Sequence, residues 1–382
     1  MKFIARIVPA LLAASSLVQA SALVSRSDDG FEINEFFDAL NKHNLTRVAD
    51  SYKRIVDTPE GKGIFNTLQS GEFTILAPKD CAFDNDKDHD KDHYNDHDKD
   101  HDKDHDKDHD KDHDKDHDKD HDKDHDKDHD ILSPNVIKYS TLFGNIFKGF
   151  KTTEHHRRAA DSQSRSVAES TFRRSSAPNN RKRQEGASDF QVQVIDRLAP
   201  RSRKRWNDET ILVDRPVGVA TVVDIFTFHK LVILIIDKVL SLPKRVSELL
   251  CLPLIRDAPN GFKKAREALE KTGLLDLVDT KDKLTLFVPI DESLEDFDKH
   301  SKEELTSLVK NHIVFDEKII YSPLFIKVCK TTALSGKELQ LTYENDIHYV
   351  SCGKSRAIVL RSDVIPSNGV LHVIDRPLLC DY

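Results

Sequence analysis

The 382-residue sequence contains no Gly-rich phosphate loop, no Gly-x-Ser-x-Gly elbow and no His-Glu-x-x-His pair. Their absence argues against nucleotide, serine-hydrolase and zinc-hydrolase chemistry, and predicts a chain that is not an enzyme. Past the first twenty residues it also lacks an apolar run of membrane-spanning length, since Leu231–Ile236 is six residues between Lys230 and Asp237. The last residues, Leu378-Leu379-Cys380-Asp381-Tyr382, lack the hydrophobic tail of a glycolipid-anchor signal. No membrane anchor is therefore expected. Hydrophobic residues make up only 38% while charged ones reach 32%, so part of the chain cannot be packed.

What stands at the start sets the compartment. Lys2 and Arg6 precede an apolar stretch, Ile7 to Val18, and Val18-Gln19-Ala20 offers small residues for cleavage. Residues 1–20 read as a secretory signal, with release to the extracellular space or cell wall, or retention in a vacuolar lumen. Cysteines are few, five in all, and their spacing does not match a zinc-ligand set. On a secretory route they read as disulfide formers. Cys251, Cys329, Cys352 and Cys380 allow three connectivities, and Cys81 is left over. Asn44-Leu45-Thr46 is the one N-glycosylation sequon, and Asn44 reads equally as a helix N-cap.

Charge is strongly segregated beneath a net −8. From 86 to 130 the chain repeats Asp-Lys-Asp-His with one lapse at Tyr94-Asn95, giving 22 Asp, 10 Lys and 11 His. The histidines fall every fourth residue: His89, His93, His97, His101, His105, His109, His113, His117, His121, His125 and His129. Imidazole suits Zn, Ni or Cu, and the intervening carboxylates add hard ligands, so these are the candidate metal ligands. A repeat expansion in a permissive surface loop explains the same pattern without any metal, and no other cofactor is implied. The tract carries −12 with neutral imidazoles and −1 when all are protonated. That swing falls near the unperturbed His pKa of about 6.5. With nothing apolar to bury, the tract is expected to be disordered.

Residues 151–205 are basic, with fourteen Lys/Arg against six Asp/Glu, and read as a second disordered segment. Arg157-Arg158, Arg173-Arg174, Lys182-Arg183 and Lys204-Arg205 are paired basic sites. Arg183 and Arg205 are the processing candidates, with an ordinary solvated linker as the plain alternative. Too few aromatics accompany the basic residues to stack bases, so no nucleic-acid partner is expected.

Two short stretches organise the rest. Leu284-Thr285-Leu286-Phe287-Val288 reads as a buried strand that Pro289 ends, having no N–H to donate. Asp291 or Ser293 is then placed to cap a following helix. Asn368-Gly369 turns into a second apolar strand, Val370–Ile374, which closes at Asp375-Arg376. Earlier, Phe73–Phe83 repeats the first pattern at Thr, Pro and Asp, and Leu231–Lys238 repeats the second at its Ile-Asp-basic ending. The chain thus reads as an internal duplication in which each opening strand pairs with its closing strand.

These stretches resemble the fasciclin domain family, whose opening strand-turn and "GVxHVID"-like closing strand they match. Gly369, Val370, His372, Val373, Ile374 and Asp375 are all in place, whereas the first copy has Leu231 for Gly and Leu234 for His. The resemblance implies two tandem α+β domains with helices on a bent β-wedge. Domain one spans 31–243, degenerate and interrupted at 86–130 and 151–205, and domain two spans 247–381. It further implies an adhesion module for cell-surface, cell-wall or matrix components. The short leader, paired basic sites and low-complexity insert look like a fungal secreted protein. A metal-binding or pH-responsive protein that merely displays its histidine tract is the rival reading. His312 and His372 fall in family-like motifs but lie on apolar faces, and both read as satisfied core groups.

Overall fold

The computed structural model describes residues 30–84, 131–150, 152–157 (backbone only), 164–174, 189–198, 210–259, 261–294, 299–316 and 318–380. The signal, the eleven tract histidines, and Arg183 and Arg205 lie outside the described residues.

Three helices open the first half: α1 (Ile33–Lys42), α2 (Thr46–Ile55) and α3 (Pro59–Ser70). The Thr58 hydroxyl caps α3 by accepting from the Gly61 amide at 3.0 Å, with Pro59 supplying a preset φ at the first helical position. Strand β1 (Phe73–Pro78) follows, then α4 (Pro134–Tyr139), which Ser133 caps. Eight more strands complete the half: β2 (Thr141–Asn145), β3 (Gly149–Phe150), β4 (Thr152–Arg157), β5 (Ser164–Arg173), β6 (Phe190–Leu198), β7 (Thr210–Asp214), β8 (Val219–Phe228) and β9 (Leu231–Ile236). They form one sheet in the order β3-β2-β1-β9-β8-β7-β6-β5-β4, and an extra β2–β5 pairing curls it back on itself.

The second half repeats the plan. Helices α5 (Val246–Leu249), α6 (Lys263–Thr272) and α7 (Leu275–Thr280) lead to β10 (Leu284–Pro289), α8 (Lys302–Lys310) and β11 (Ile313–Phe315). Gly273 ends α6 in the left-handed region, φ +70°, where glycine has no Cβ to clash. Ser301 and Glu304 form a capping box on α8. Strands β12 (Lys330–Thr332), β13 (Glu338–Glu344), β14 (Ile347–Cys352), β15 (Ser355–Val364) and β16 (Gly369–Ile374) finish a sheet ordered β11-β10-β16-β15-β14-β13-β12.

In each half the opening strand lies parallel to the closing strand: Phe73 faces Leu231 in the first, Leu284 faces Gly369 in the second. Both faces of these pairs are buried, which is why they read as unbroken apolar runs rather than alternating ones. Phe73, Ile75, Leu231 and Ile233 pack on the helices, while Leu76, Val232 and Leu234 point into the curled sheet. Leu286 and Leu371 against Phe287 and Ile374 divide the same way. The fold class is therefore α+β, two like-built halves with helices on bent sheets.

Three expectations are corrected. Residues 151–205 are not disordered throughout, because β4, β5 and β6 lie within them and the middles of β5 and β6 are buried. Arg174 is only 6% exposed, with its guanidinium 3.4 Å from Asp282, so the Arg173-Arg174 pair is held in folded structure. Among the described residues Asp291 caps no following helix; it accepts from the amide of Lys264, at the start of the preceding α6, at 3.1 Å. Its counterpart Asp80 does the same for α2, accepting from the Thr46 and Arg47 amides at 3.1 and 3.0 Å. The turn after each opening strand aims its carboxylate at the positive end of a helix folded back over the sheet. Asn44 is accordingly not the cap of α2.

Candidate functional site

All described residues except Gly30 fall in one compact unit, Phe31–Tyr382, so the two halves share a seam. Its apolar part joins Val167 of β5 and Val192 of β6 to Ile319, Tyr321 and Val370 of the second half. Besides Arg174, which meets Asp282, two arginines cross it in opposite directions. Arg165, from β5, grips Asp196 of β6 at 2.8 and 2.7 Å and reaches Ser362 at 2.8 Å and Asp363 at 3.1 Å. Arg361, from β15, reaches back to Asp214 at 2.9 Å and donates to the carbonyls of Pro216 and Leu254. The side-chain amide of Gln191 adds a bond to the Ser367 carbonyl at 2.6 Å.

Asp363 is the hub of the seam. Its side chain is fully buried and its backbone sits in the left-handed region at φ +62°. The Ser322 amide donates to it at 2.7 Å, and the Ser322 hydroxyl also donates to it. Burial pulls the carboxyl upward, but the Arg165 guanidinium and the two Ser322 donors outweigh it and hold it below the ordinary carboxylate range. The Arg165 guanidinium is pushed the other way: burial opposes its charge, and Asp196 and Asp363 more than restore it. Asp214 is raised, because burial there exceeds the pull of Arg361 and Arg165.

His372 lies at the centre of the closing strand, opposite Phe287 and fully buried. Its Nδ1 accepts from the Asp363 amide at 3.3 Å and its Nε2 donates to the Ile320 carbonyl at 2.9 Å, the tautomer this pair of bonds requires. Burial lowers its pKa, with Asp363 and the Ile320 carbonyl opposing, so the ring is neutral. Ser322, Asp363 and His372 are neighbours, yet the serine hydroxyl is bonded to the carboxylate and both imidazole nitrogens to backbone. This is a structural lock, not a nucleophile with its base. His312 is likewise satisfied: Nδ1 meets the Leu308 carbonyl and Nε2 accepts from the Leu378 amide, both at 2.9 Å. Burial pushes its pKa down to about 4.

Of the cysteines, Cys352 and Cys380 form a disulfide, whereas Cys251, Cys329 and Cys81 are exposed thiols. The Arg266 guanidinium lies 2.8 Å from the Cys251 sulfur. Asn44 is exposed, at φ +56° in the turn between α1 and α2. Among the described residues no three His, Cys, Asp or Glu side chains converge as a metal site, and no helix is long and apolar enough to cross a membrane. Among the described residues two open recesses, ≈ 260 Å³ beside α3 and α4 and ≈ 470 Å³ along α8, accompany two small ones. One of ≈ 30 Å³ lies between α6, α8 and β10, lined by Ala268, Leu286 and Leu308 among others, and one of ≈ 20 Å³ lies in the seam beside Arg361. Neither holds more than a water or two.

Both closing strands end on an aspartate that latches the neighbouring strand. Asp237 accepts from the Thr221 amide at 2.6 Å, and Asp375 accepts from the Ile358 amide at 2.7 Å. The opening-strand threonines are also equivalent: Thr74 accepts from the Ile146 amide at 3.2 Å, and Thr285 from the Ile320 amide at 3.0 Å. With these pairs in register, residues 260–380 match the family model described as the fasciclin domain. The chain carries a fasciclin domain. It is 32% identical over 124 residues to a fasciclin-like arabinogalactan protein of Phaeosphaeria nodorum, covering 32% of this chain and 38% of that one. A fasciclin-like arabinogalactan protein of Cercospora beticola is 30% identical over 186 residues, 47% of this chain and 46% of its own. The chain thus spans less than half the length of either fungal relative. A solved pair of such domains, from the insect cell adhesion molecule fasciclin I, aligns over 88% of this chain and 98% of its own, at 16% identity and a TM-score of 0.35.

In the fasciclin domain the family-like histidine is His372. The first half has Leu234 at the same register, opposite Leu76, inside an apolar cluster with Leu142 and Ile195. Sequence reasoning found His372 but missed the cluster of Arg165, Ser322 and Asp363 beside it. Arg165 precedes Asp363 by 198 residues and no local pattern joins them.

Proposed function

We infer that the protein is a non-enzymatic surface or extracellular fasciclin-like module that binds cell-surface, cell-wall or matrix components. The observation that carries this is the intact fasciclin domain at 260–380, with its opening and closing strands paired in register. The names of its relatives point the same way, both being fasciclin-like arabinogalactan proteins. Secretion or cell-wall attachment follows from the leader, with the vacuolar lumen as the alternative destination. The test is adhesion of beads coated with the full chain to purified walls, set against beads coated with a folded protein of like charge. Equal retention of the two would refute the reading.

A second reading rests on the sequence of the tract, in which eleven histidines recur every fourth residue among aspartates. Under it the folded halves display a ligand array for Zn, Ni or Cu, whose affinity comes from multiplicity. Deleting 86–130 separates the two: wall adhesion survives under the first reading, and metal uptake by the chain is lost under the second.

A further inference from the structure

We propose that Asn44 carries an N-linked glycan, attached before the first half folds and inaccessible to the transferase afterwards. The proposal rests on the secretory reading of the leader. Asn44 is exposed, projects from the tight turn between α1 and α2, and its side chain takes no part in capping α2. The other half of the sequon is not free. Thr46 begins α2, and both its amide and its hydroxyl donate to Asp80 Oδ2.

Transfer forms a bond from the Asn44 side-chain nitrogen to the anomeric carbon of a lipid-pyrophosphate-linked oligosaccharide. The lipid pyrophosphate leaves with the bonding pair, and the amide gives up a proton. The transferase must hold the asparagine amide and the threonine hydroxyl together, and in the folded protein the second is tied to a carboxylate.

The order of synthesis resolves the conflict. Asp80 is set in place by the turn after β1, and that turn is anchored where the Lys79 amide bonds the Ile236 carbonyl at 3.0 Å. Strand β1 itself is buried by β9, Phe73 facing Leu231 through Pro78 facing Ile236. The carboxylate clamp therefore waits for residues more than 150 positions downstream. Contacts of such long sequence separation form late. Until then the sequon is an open, extended segment. The same geometry makes the unmodified native protein a closed substrate.

The test uses the full chain, translated into glycosylation-competent microsomes with either its own residues 1–20 or an established secretory leader. The expected result is a glycosidase-sensitive mass increment that N44Q and T46A lose and T46S keeps. Import through the established leader without that increment overturns the proposal. An increment seen only with the established leader removes the secretory reading of residues 1–20 and leaves the site standing. In the second arm, folded glycan-free protein is offered to the solubilised transferase. It is expected to stay unmodified, while D80N and urea-unfolded wild type are modified. Equal modification of folded and unfolded wild type overturns the claim about timing.

Discussion

Replacing Arg165 by methionine removes one charge from the seam and tests how the halves are held together. Asp363 would keep its two bonds from Ser322 but lose its cation, with a side chain fully out of solvent. Removing one partner of a buried ion pair costs about 3–5 kcal/mol, because the remaining charge is left without compensation. Asp196 also loses its partner, but its side chain is 27% exposed, so water recovers most of that loss. At about 1–3 kcal/mol per molar urea, the unfolding midpoint should fall by at least about 1 M. The pH dependence gives the sharper signature. In the wild type the Asp363 pKa is depressed, so its stabilisation is present above the unfolded carboxylate pKa and disappears as pH falls through the folded value. Without Arg165 the unopposed burial raises that pKa, and protonation relieves the strain. The gap between wild type and R165M should therefore be widest at pH 7 and narrow toward pH 4.5. Adding D363N to R165M should recover most of the deficit. A loss under about 1 kcal/mol at pH 7, or a gap unchanged with pH, would refute the reasoning.

Three further outcomes are expected. A Cβ on Gly369 would lie 2.1 Å from the Leu284 carbonyl oxygen, inside the central parallel pair, so G369A should lower stability by about 3 kcal/mol in a urea melt. His312, neutral with a pKa of about 4 when folded, stabilises above its unfolded value of about 6.5, and that contribution is lost as pH falls from there toward 4. The loss is about 3 kcal/mol, and an otherwise folded H312N should show a correspondingly flatter stability profile over that range. Cleavage after Arg183 or Arg205 should nick the protein without releasing the fasciclin domain, since the flanking strands pair as β5·β6 and β6·β7. The nicked chain should elute as one species under native conditions and as separate fragments only in denaturant.

Much of the fasciclin domain was legible in the sequence because its signals are local. Strands buried on both faces show as unbroken apolar runs at Leu284–Val288 and Val370–Ile374, and proline marks where the first one ends. The duplication was readable for the same reason. Strands β5 and β6 were not. They hold Ser166, Glu169, Ser170, Gln191 and Gln193 at buried positions, a composition that reads as linker. Partners distant in sequence satisfy several of these polar groups, Gln193 bonding the Tyr139 carbonyl and Gln191 the Ser367 carbonyl. The destinations of Asp80 and Asp291 were hidden likewise, each capping a helix that precedes it by about thirty residues. By itself the sequence determined which segments are strands and helices wherever burial writes a period along the chain. Only the tertiary structure decided which charges meet across the seam, because an ion pair between residues 198 apart leaves no trace in the pattern around either one.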